Sequence, residues 1–399
     1  MFLHLLVRCV QKILFVKEKR VFFNSLGGHY CDNPKYISQK MYELRPDLEQ
    51  IWLIKEQYRC LLPNYVKTVS PKNVWKRCWY EGTAHILVDC VFGNKVAVLK
   101  KGKIKRLQFW VKKFLYSKKS QHVFTTWHGT PLKRIGSDQP NSGIIDFSLP
   151  QTMMLLGNQY TADIVRRTTF DRLKVDLIGT PKNDILFKSG NNSSALKAEL
   201  GLPAGKKIVL FAPSFRSDAK DGLKKKNVRR SGINQIEEID FSVLFKTLNK
   251  VFSGEWVLVC RFHYHVAELV DWNELEEKYH GCIINGNLHN DMAEYLACTD
   301  VLITDVSASM FDFAVTEKPC FLFFPDMEHY KNIERGFYMN IEELPFPVSI
   351  SFTELIKDIL EFDNAVYTLK VRKLLNEMGY VDDADSSDRV VKYILEKSF

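Results

Sequence analysis

The stretch Asp300-Val301-Leu302-Ile303-Thr304-Asp305-Val306-Ser307-Ala308-Ser309-Met310-Phe311-Asp312 decides the fold. It reads as a short apolar strand, a loop of small hydroxyl residues, then an amphipathic helix. A strand that runs through a polar loop into a helix belongs to a parallel α/β sheet. In such sheets ligands bind beyond the carboxyl ends of the strands. The same rhythm recurs in both directions along the chain. Downstream of residue 170 it predicts strands over Val175–Ile178, Ile208–Ala212, Trp256–Arg261, Cys282–Asn285, Val301–Thr304 and Cys320–Phe324. Upstream it predicts strands over Val21–Asn24, Ile51–Ile54, Val66–Thr68 and His85–Val88, with helices over Asn33–Leu44 and Asn73–Tyr80. The expected architecture is α/β, with two Rossmann-like domains facing a cleft. The run Lys188–Lys206 reads as a linker, which gives domains at 1–187 and 188–399. The last 45 residues read as helical, with Ser386 or Ser387 as a cap, and these helices are free to pack back on the first domain.

A chain of 399 residues is long enough for two domains, and 46% apolar with 26% charged residues is an ordinary globular composition. No run of about 18 apolar residues is present, so no spanning helix is expected. The apolar start carries Arg8 and Lys12 and lacks a small-residue cleavage site, which argues against a secretory signal. Nine cysteines without CxxC pairs read as reduced thiols, not as a disulfide framework or a zinc site. The net charge of +9 is unevenly spread. Residues 1–150 hold 26 Lys and Arg against 10 Asp and Glu, and the remainder holds 30 against 37. A basic first part implies an anionic partner, either membrane phosphates or nucleic acid.

Two segments are candidates for that partner. Phe2, Leu3, Leu6, Val10, Ile13 and Leu14 share one helical face, which suits either an interfacial helix or one packed on the core. Residues 100–119 carry nine Lys and Arg and no acid, interleaved with aromatic and aliphatic residues. Lys112, Lys113, Trp110 and Phe114 are the expected membrane contacts there.

Four loops hold the chemistry. Thr125–Gly136 places His128 beside Gly129, where a ligand can approach closely and a histidine can take a proton. Phe211–Arg216 follows a buried strand, and the Arg216 fork suits an anion. In Cys260–His265, alternation puts Arg261, His263 and His265 on one side if the strand continues. Arg261 and His263 then suit phosphate, and no further residue supports a metal. Thr304, Asp305, Ser307 and Ser309 form the fourth, with Ser307 or Ser309 as helix cap and phosphate cradle. The absence of GxGxxG, GxxxxGK[ST] and GxSxG argues against dinucleotide, P-loop and α/β-hydrolase enzymes.

At these loops the sequence resembles the CDP-glycerol glycerophosphotransferase family of teichoic acid synthesis. The matching segments are Asp32-Asn33-Pro34-Lys35-Tyr36, Trp127-His128-Gly129-Thr130-Pro131-Leu132-Lys133, Gly179-Thr180-Pro181-Lys182-Asn183-Asp184, Ala212-Pro213-Ser214-Phe215-Arg216, Thr304-Asp305-Val306-Ser307 and Arg335-Gly336-Phe337-Tyr338. The resemblance covers about residues 20–360. It implies the GT-B fold, work at the cytoplasmic membrane face, a CDP-glycerol donor, a lipid-linked saccharide or polymer acceptor, and release of CMP. By the same resemblance, His128 and His263 are catalytic, with His128 as general base. Arg216, Arg261, Thr304, Asp305, Ser307 and Ser309 serve the donor, and Gly129, Thr130 and Lys133 the acceptor side. No cofactor is required, although a divalent cation carried by the diphosphate stays open. Where the family usually has Thr-Asp-Tyr-Ser-Ser, this chain has Val306 and Ala308. CDP-ribitol or another alditol donor, a nucleotide-sugar glycosyltransferase of the same fold, and a basic nucleic-acid-binding protein are the alternatives.

Overall fold

The computed structural model describes residues 2–90, 97–99, 118, 120–139, 144–146, 152–168, 174–216, 232–267, 270–279, 281–328, 330 and 336–399. The expected membrane contacts Trp110, Lys112, Lys113 and Phe114 lie outside these residues. So does Arg335.

The chain forms two compact units. Unit 1 holds Met1–His128, Ile135–Asp184 and Met378–Phe399; unit 2 holds Gly129–Arg134 and Ile185–Glu377. The sequence reading divided the chain between 187 and 188. Here the chain leaves unit 1 at Asp184, lends residues 129–134 to unit 2, and returns its last helix to unit 1.

The expected linker is a correction. Asp184–Glu199 is one helix, despite its Ser, Gly and Asn residues. Each of those weak helix formers costs no more than about 1 kcal/mol. The ends hold the helix: Asp184 accepts a bond from the Ser387 N–H at 2.9 Å, and Leu186 and Leu200 are buried.

Unit 1 is built on a parallel sheet in the order β3-β2-β1-β4-β6-β8-β9. Its strands are β1 (Lys17–Asn24), β2 (Glu49–Leu53), β3 (Lys67–Val69), β4 (Ala84–Asp89), β6 (His122–Thr125), β8 (Thr152–Leu156) and β9 (Lys174–Leu177). A separate antiparallel ribbon pairs β5 (Ala97–Leu99) with β7 (Ile144–Asp146). Strand alternation sends Phe23, Val88 and Phe124 to one face. There they pack with Ile37 and Met41 of helix α2 (Asp32–Leu44) and with Val390, Val391 and Ile394 of the last helix, Ser386–Ser398. Phe22, Leu87 and Val123 bury on the other face. The last helix does not take Ser386 or Ser387 as its cap. Asp385 occupies that place without a side-chain capping bond, and Ser387 is spent on Asp184 and the Pro181 carbonyl.

Helix α1 (Phe2–Ile13) lies on α3 (Val74–Thr83), with Gln11 Nε2 donating to the Cys78 carbonyl and the Cys78 thiol donating to Val7. Lys118, read from sequence as part of the lipid-facing basic run, instead donates to the carbonyls of Gln11, Leu14 and Gly82. A cation suits the carbonyl-rich end of a helix. Burial lowers its pKa to about 8, with Lys12 adding to the fall. Among the described residues no helix is long and apolar enough to cross a membrane.

Unit 2 has a second parallel sheet, in the order β12-β11-β10-β13-β14-β15. The strands are β10 (Lys207–Ala212), β11 (Trp256–Cys260), β12 (Ile283–Asn285), β13 (Val301–Thr304), β14 (Cys320–Phe323) and β15 (Val348–Ser349). β10, β11, β13 and β14 are buried over most or all of their length, as parallel strands covered on both faces must be.

Candidate active site

In unit 2, β10 and β13 are neighbours, and their register brings Ala212 beside Thr304. The loops that follow therefore emerge together. Thr304 Oγ1 donates to the Ala212 carbonyl at 2.6 Å, which ties the two strand ends. Asp305 accepts from the Ser214 N–H at 2.9 Å and pairs with Arg216 Nη2 at 2.7 Å. Arg216 also grips Asp326 through Nε and Nη2 at 2.8 and 2.9 Å and donates to the Ser214 carbonyl. Its guanidinium lies over the rings of Phe324 and Tyr330. Burial works against the Arg216 charge, and Asp305 and Asp326 overcome it, so the pKa is raised. Burial likewise opposes ionisation of Asp305, and Arg216 and Lys133 hold its pKa below the usual value.

Sequence reading assigned Arg216 to the donor. Its observed partners are two carboxylates and a carbonyl, so it pins three loops to one another. Asp326 was missed. The signal available was its place just past the end of β14, where the Phe324-Pro325 turn leaves the sheet.

The strap Gly129–Arg134 joins the same cluster. Lys133 pairs antiparallel with Phe337, the Arg134 N–H donates to the Gly336 carbonyl, and the Tyr338 N–H donates to Leu132. Lys133 Nζ lies over the Tyr330 ring. Thr130 is buried. A side chain on Gly129 would meet the Ala308 Cβ at 3.0 Å, so this residue must be small. Ser307 and Ser309 share a hydroxyl–hydroxyl bond of 2.9 Å. The helix Ser309–Ala314 takes Ala308 as its cap residue, not either serine, although Ser307 Oγ accepts weakly from the Ser309 N–H.

The third loop departs from expectation. β11 stops at Cys260 and a short helix begins at Tyr264, so alternation does not carry Arg261, His263 and His265 on one side. Arg261 turns to the carbonyls of Gly286, His289 and Asn290 and lies over the Tyr295 ring. His263 is exposed, its ring 5.5 Å from that of Phe215.

Unit 1 carries His128. Nδ1 lies 3.3 Å from the Cys90 carbonyl. A carbonyl only accepts, so Nδ1 bears the proton and Nε2 keeps its lone pair. His128 is exposed at the protein surface. Desolvation by the surrounding protein lowers its pKa to about 4, with the Cys90 bond opposing and Lys182 adding to the fall. Three separated motifs hold the loop. Asn33 donates to the Trp127 carbonyl at 3.2 Å and accepts from the Lys182 N–H at 3.0 Å, while Lys182 Nζ reaches the His128 carbonyl at 3.0 Å. Asp32 lies 3.8 Å from the same ammonium. Asp32 and Trp127 both adopt left-handed backbone, at φ 60° and 55°. Such strain in non-glycine residues costs about 1–3 kcal/mol each and persists where surroundings over-determine it. Lys182 and Asn33 were quoted from sequence only as motif letters, and their shared task emerges with the fold.

The family model described as CDP-Glycerol:Poly(glycerophosphate) glycerophosphotransferase matches residues 6–396. A teichoic acid poly(glycerol phosphate) polymerase of Staphylococcus epidermidis is 27% identical over 395 residues, covering 94% of this chain and 50% of that protein. The chain thus spans about half the length of that relative. One of the same description from Bacillus spizizenii is 27% identical over 396 residues, covering 95% of this chain and 92% of its own. Among solved structures, a variant of the wall teichoic acid polymerase TagF soaked with CDPG superposes with a TM-score of 0.75 at 26% identity, covering 98% of this chain and 92% of that one.

Proposed function

The chain belongs to the CDP-glycerol:poly(glycerophosphate) glycerophosphotransferase family, and from that premise we propose that it transfers glycerol phosphate from CDP-glycerol to a hydroxyl of a lipid-linked saccharide or polymer. The observation that carries the reading is the state of His128: a neutral imidazole whose Nδ1–H is fixed on Cys90, leaving Nε2 as the base. The acceptor hydroxyl gives its proton to Nε2 as its oxygen attacks the glycerol-bearing phosphorus. The bond to the CMP oxygen breaks, and CMP leaves with the electron pair. Such transfers need positioning and charge stabilisation, with no covalent enzyme intermediate.

Unit 2 supplies the donor groups in this scheme. Lys133, His263 and the Ser307–Ser309 hydroxyls hold the diphosphate, with Gly129 and Thr130 lying close to that loop. Arg216, Asp305, Thr304 and Arg261 fix the loops that present them. Protein dipoles fixed before reaction need no reorganisation when charge develops.

The site is proposed to work at an anionic membrane surface on the cytoplasmic side. Support comes from the segments around α1 and α3, where Ile13, Phe15, Trp75 and Trp79 are exposed and Lys12, Lys72 and Lys76 are near them in sequence. Aromatic and basic residues on one face suit a lipid interface.

A donor panel of CDP-glycerol, CDP-ribitol and UDP-sugars, with the product weighed by mass spectrometry, tests this function. Extension by glycerol phosphate with CMP release is expected. Turnover with UDP-sugars alone would replace the reading with a glycosyltransferase, and turnover with CDP-ribitol alone would reassign the donor.

A further inference from the structure

The loops that follow β2 and β3 carry two cations that the reaction scheme does not use. These strands belong to the parallel run β3-β2-β1-β4-β6, and the loop with His128 follows β6 at the same end of the sheet. Gly28, after β1, draws the neighbouring loops together. The Lys55 N–H donates to the Gly28 carbonyl at 2.9 Å. A side chain on Gly28 would stand 3.2 Å from the Lys55 nitrogen and 3.2 Å from Pro71 Cγ, and its φ of 109° also calls for glycine. Lys55 after β2 and Lys72 after β3 therefore sit on the sheet end that bears the base.

Neither cation is neutralised. Among the described residues no carboxylate pairs with either ammonium, and Glu56, next to Lys55 in the chain, pairs with Arg59 at 3.4 Å. Lys55 Nζ instead rests 3.2 Å from His29 Nε2 and faces the Tyr58 ring at 6.0 Å. That ring packs 4.7 Å from the ring of His29, which is buried. An ammonium only donates, so Nε2 accepts, and the imidazole holds the ammonium in place without cancelling its charge. Lys55 is half-buried and Lys72 is exposed, so both stand open to a ligand from solution. A bracketed ammonium without a counter-charge suits an arriving phosphate, which lysine binds as a point charge.

We propose that Lys55 and Lys72 form a phosphodiester track that holds the acceptor chain behind its attacking hydroxyl. At the usual strand spacing β2 stands roughly 14 Å and β3 roughly 19 Å from β6. A glycerol phosphate repeat has as many backbone bonds as two peptide residues, so it reaches roughly 7 Å when extended. With the terminal hydroxyl at His128, the phosphates two and three repeats back fall at roughly 14 Å and 21 Å, level with Lys55 and Lys72. An acceptor of one unit reaches neither lysine, so the track favours a chain that already carries several. Lys72 also precedes α3, where Trp75 and Trp79 are exposed, so a chain anchored in lipid there runs past both lysines towards the base. The track rests on the phosphotransferase reading for its place in the reaction, and its ligand class, a phosphodiester anion, rests on the two lysines themselves.

Calorimetry with a soluble glycerol phosphate tetramer and with glycerol 3-phosphate, without donor, reads the track. Wild type should bind the tetramer more tightly than the monomer, and less tightly as salt rises. Lys55→Gln and Lys72→Gln should each weaken tetramer binding roughly 3- to 10-fold. Their melting temperatures should hold, since neither lysine has an ion pair to lose. A lipid headgroup also presents a phosphodiester, so flotation on phosphatidylglycerol vesicles is the second arm, and Lys55→Gln should float like wild type. Equal tetramer affinity in wild type and both variants, no preference for tetramer over monomer, or no tetramer binding by wild type overturns the track. Reduced flotation of Lys55→Gln with unchanged tetramer affinity overturns it too, and gives that lysine to the lipid surface. Wild-type turnover with CDP-glycerol is measured separately. Tetramer binding that depends on both lysines without any turnover keeps the track and removes the phosphotransferase reading.

Discussion

His128 and Arg216 show how differently two residues of one motif set earn their places. In the proposed scheme His128 serves as base because one carbonyl fixes its tautomer and its lowered pKa keeps it neutral. His128→Ala should lower kcat about 100- to 10,000-fold, the usual worth of general base catalysis, with little change in melting temperature. The pH profile should carry the same signature. A base is active when deprotonated, and its pKa is lowered to about 4. The acidic limb of kcat/KM should therefore fall through about pH 4, and activity at pH 5.5 should stay near its plateau. A limb centred at the ordinary histidine value near 6.5 would contradict this environment. Arg216 behaves otherwise. Its removal leaves Asp305 buried and Asp326 without its fork, and breaking such a pair costs about 3–5 kcal/mol. Arg216→Ala should show that loss in urea unfolding, and Arg216→Lys should recover only part of it because an ammonium cannot fork.

At the scale of elements, the strap Gly129–Arg134 links sequence motifs that lie 200 residues apart. Its backbone pairs with Gly336–Tyr338, and Gly129 leaves room only for Ala308. Gly129→Ala should destabilise by about 1–3 kcal/mol through overpacking. Adding Ala308→Gly should return much of it, a non-additivity that a thermal-melt double-mutant cycle reads directly. Ten of the thirteen strands in the two sheets were legible because buried parallel strands read as continuous apolar runs, as Ile208–Ala212 and Val301–Thr304 do, whereas the short strands β6 and β15 were not read. β8 was not, since Met153, Met154, Leu155 and Leu156 are equally at home in a helix. Helix Asp184–Glu199 was hidden for the opposite reason: its local composition favours a loop, and distant residues such as Ser387 decide it. The site followed the same rule. His128 and Asp305 were legible as residue types after strands. Asp326, Lys182 and Cys90 were not, because their roles consist of partners far along the chain.

For the whole molecule, the excess of positive charge over residues 1–150 bears on the proposed lipid surface. α3 exposes Trp75 and Trp79 with Lys76 between them in sequence, while Lys118 is turned inward. Binding to anionic liposomes should fall steeply between low and physiological salt, and Trp75→Ala with Trp79→Ala should weaken it further; salt-independent flotation would contradict that surface. Donor binding should raise stability by about 2.7 kcal/mol at a hundredfold excess over Kd, read as a melting shift with CDP-glycerol and absent with UDP-glucose. The most direct measurement is the stoichiometry of CMP released to glycerol phosphate added to a lipid-linked acceptor, for wild type and His128→Ala side by side. One CMP per added unit in the wild type, with both quantities lost together in the variant, is the predicted result. CMP release without acceptor extension, or extension that survives in His128→Ala, would contradict the account.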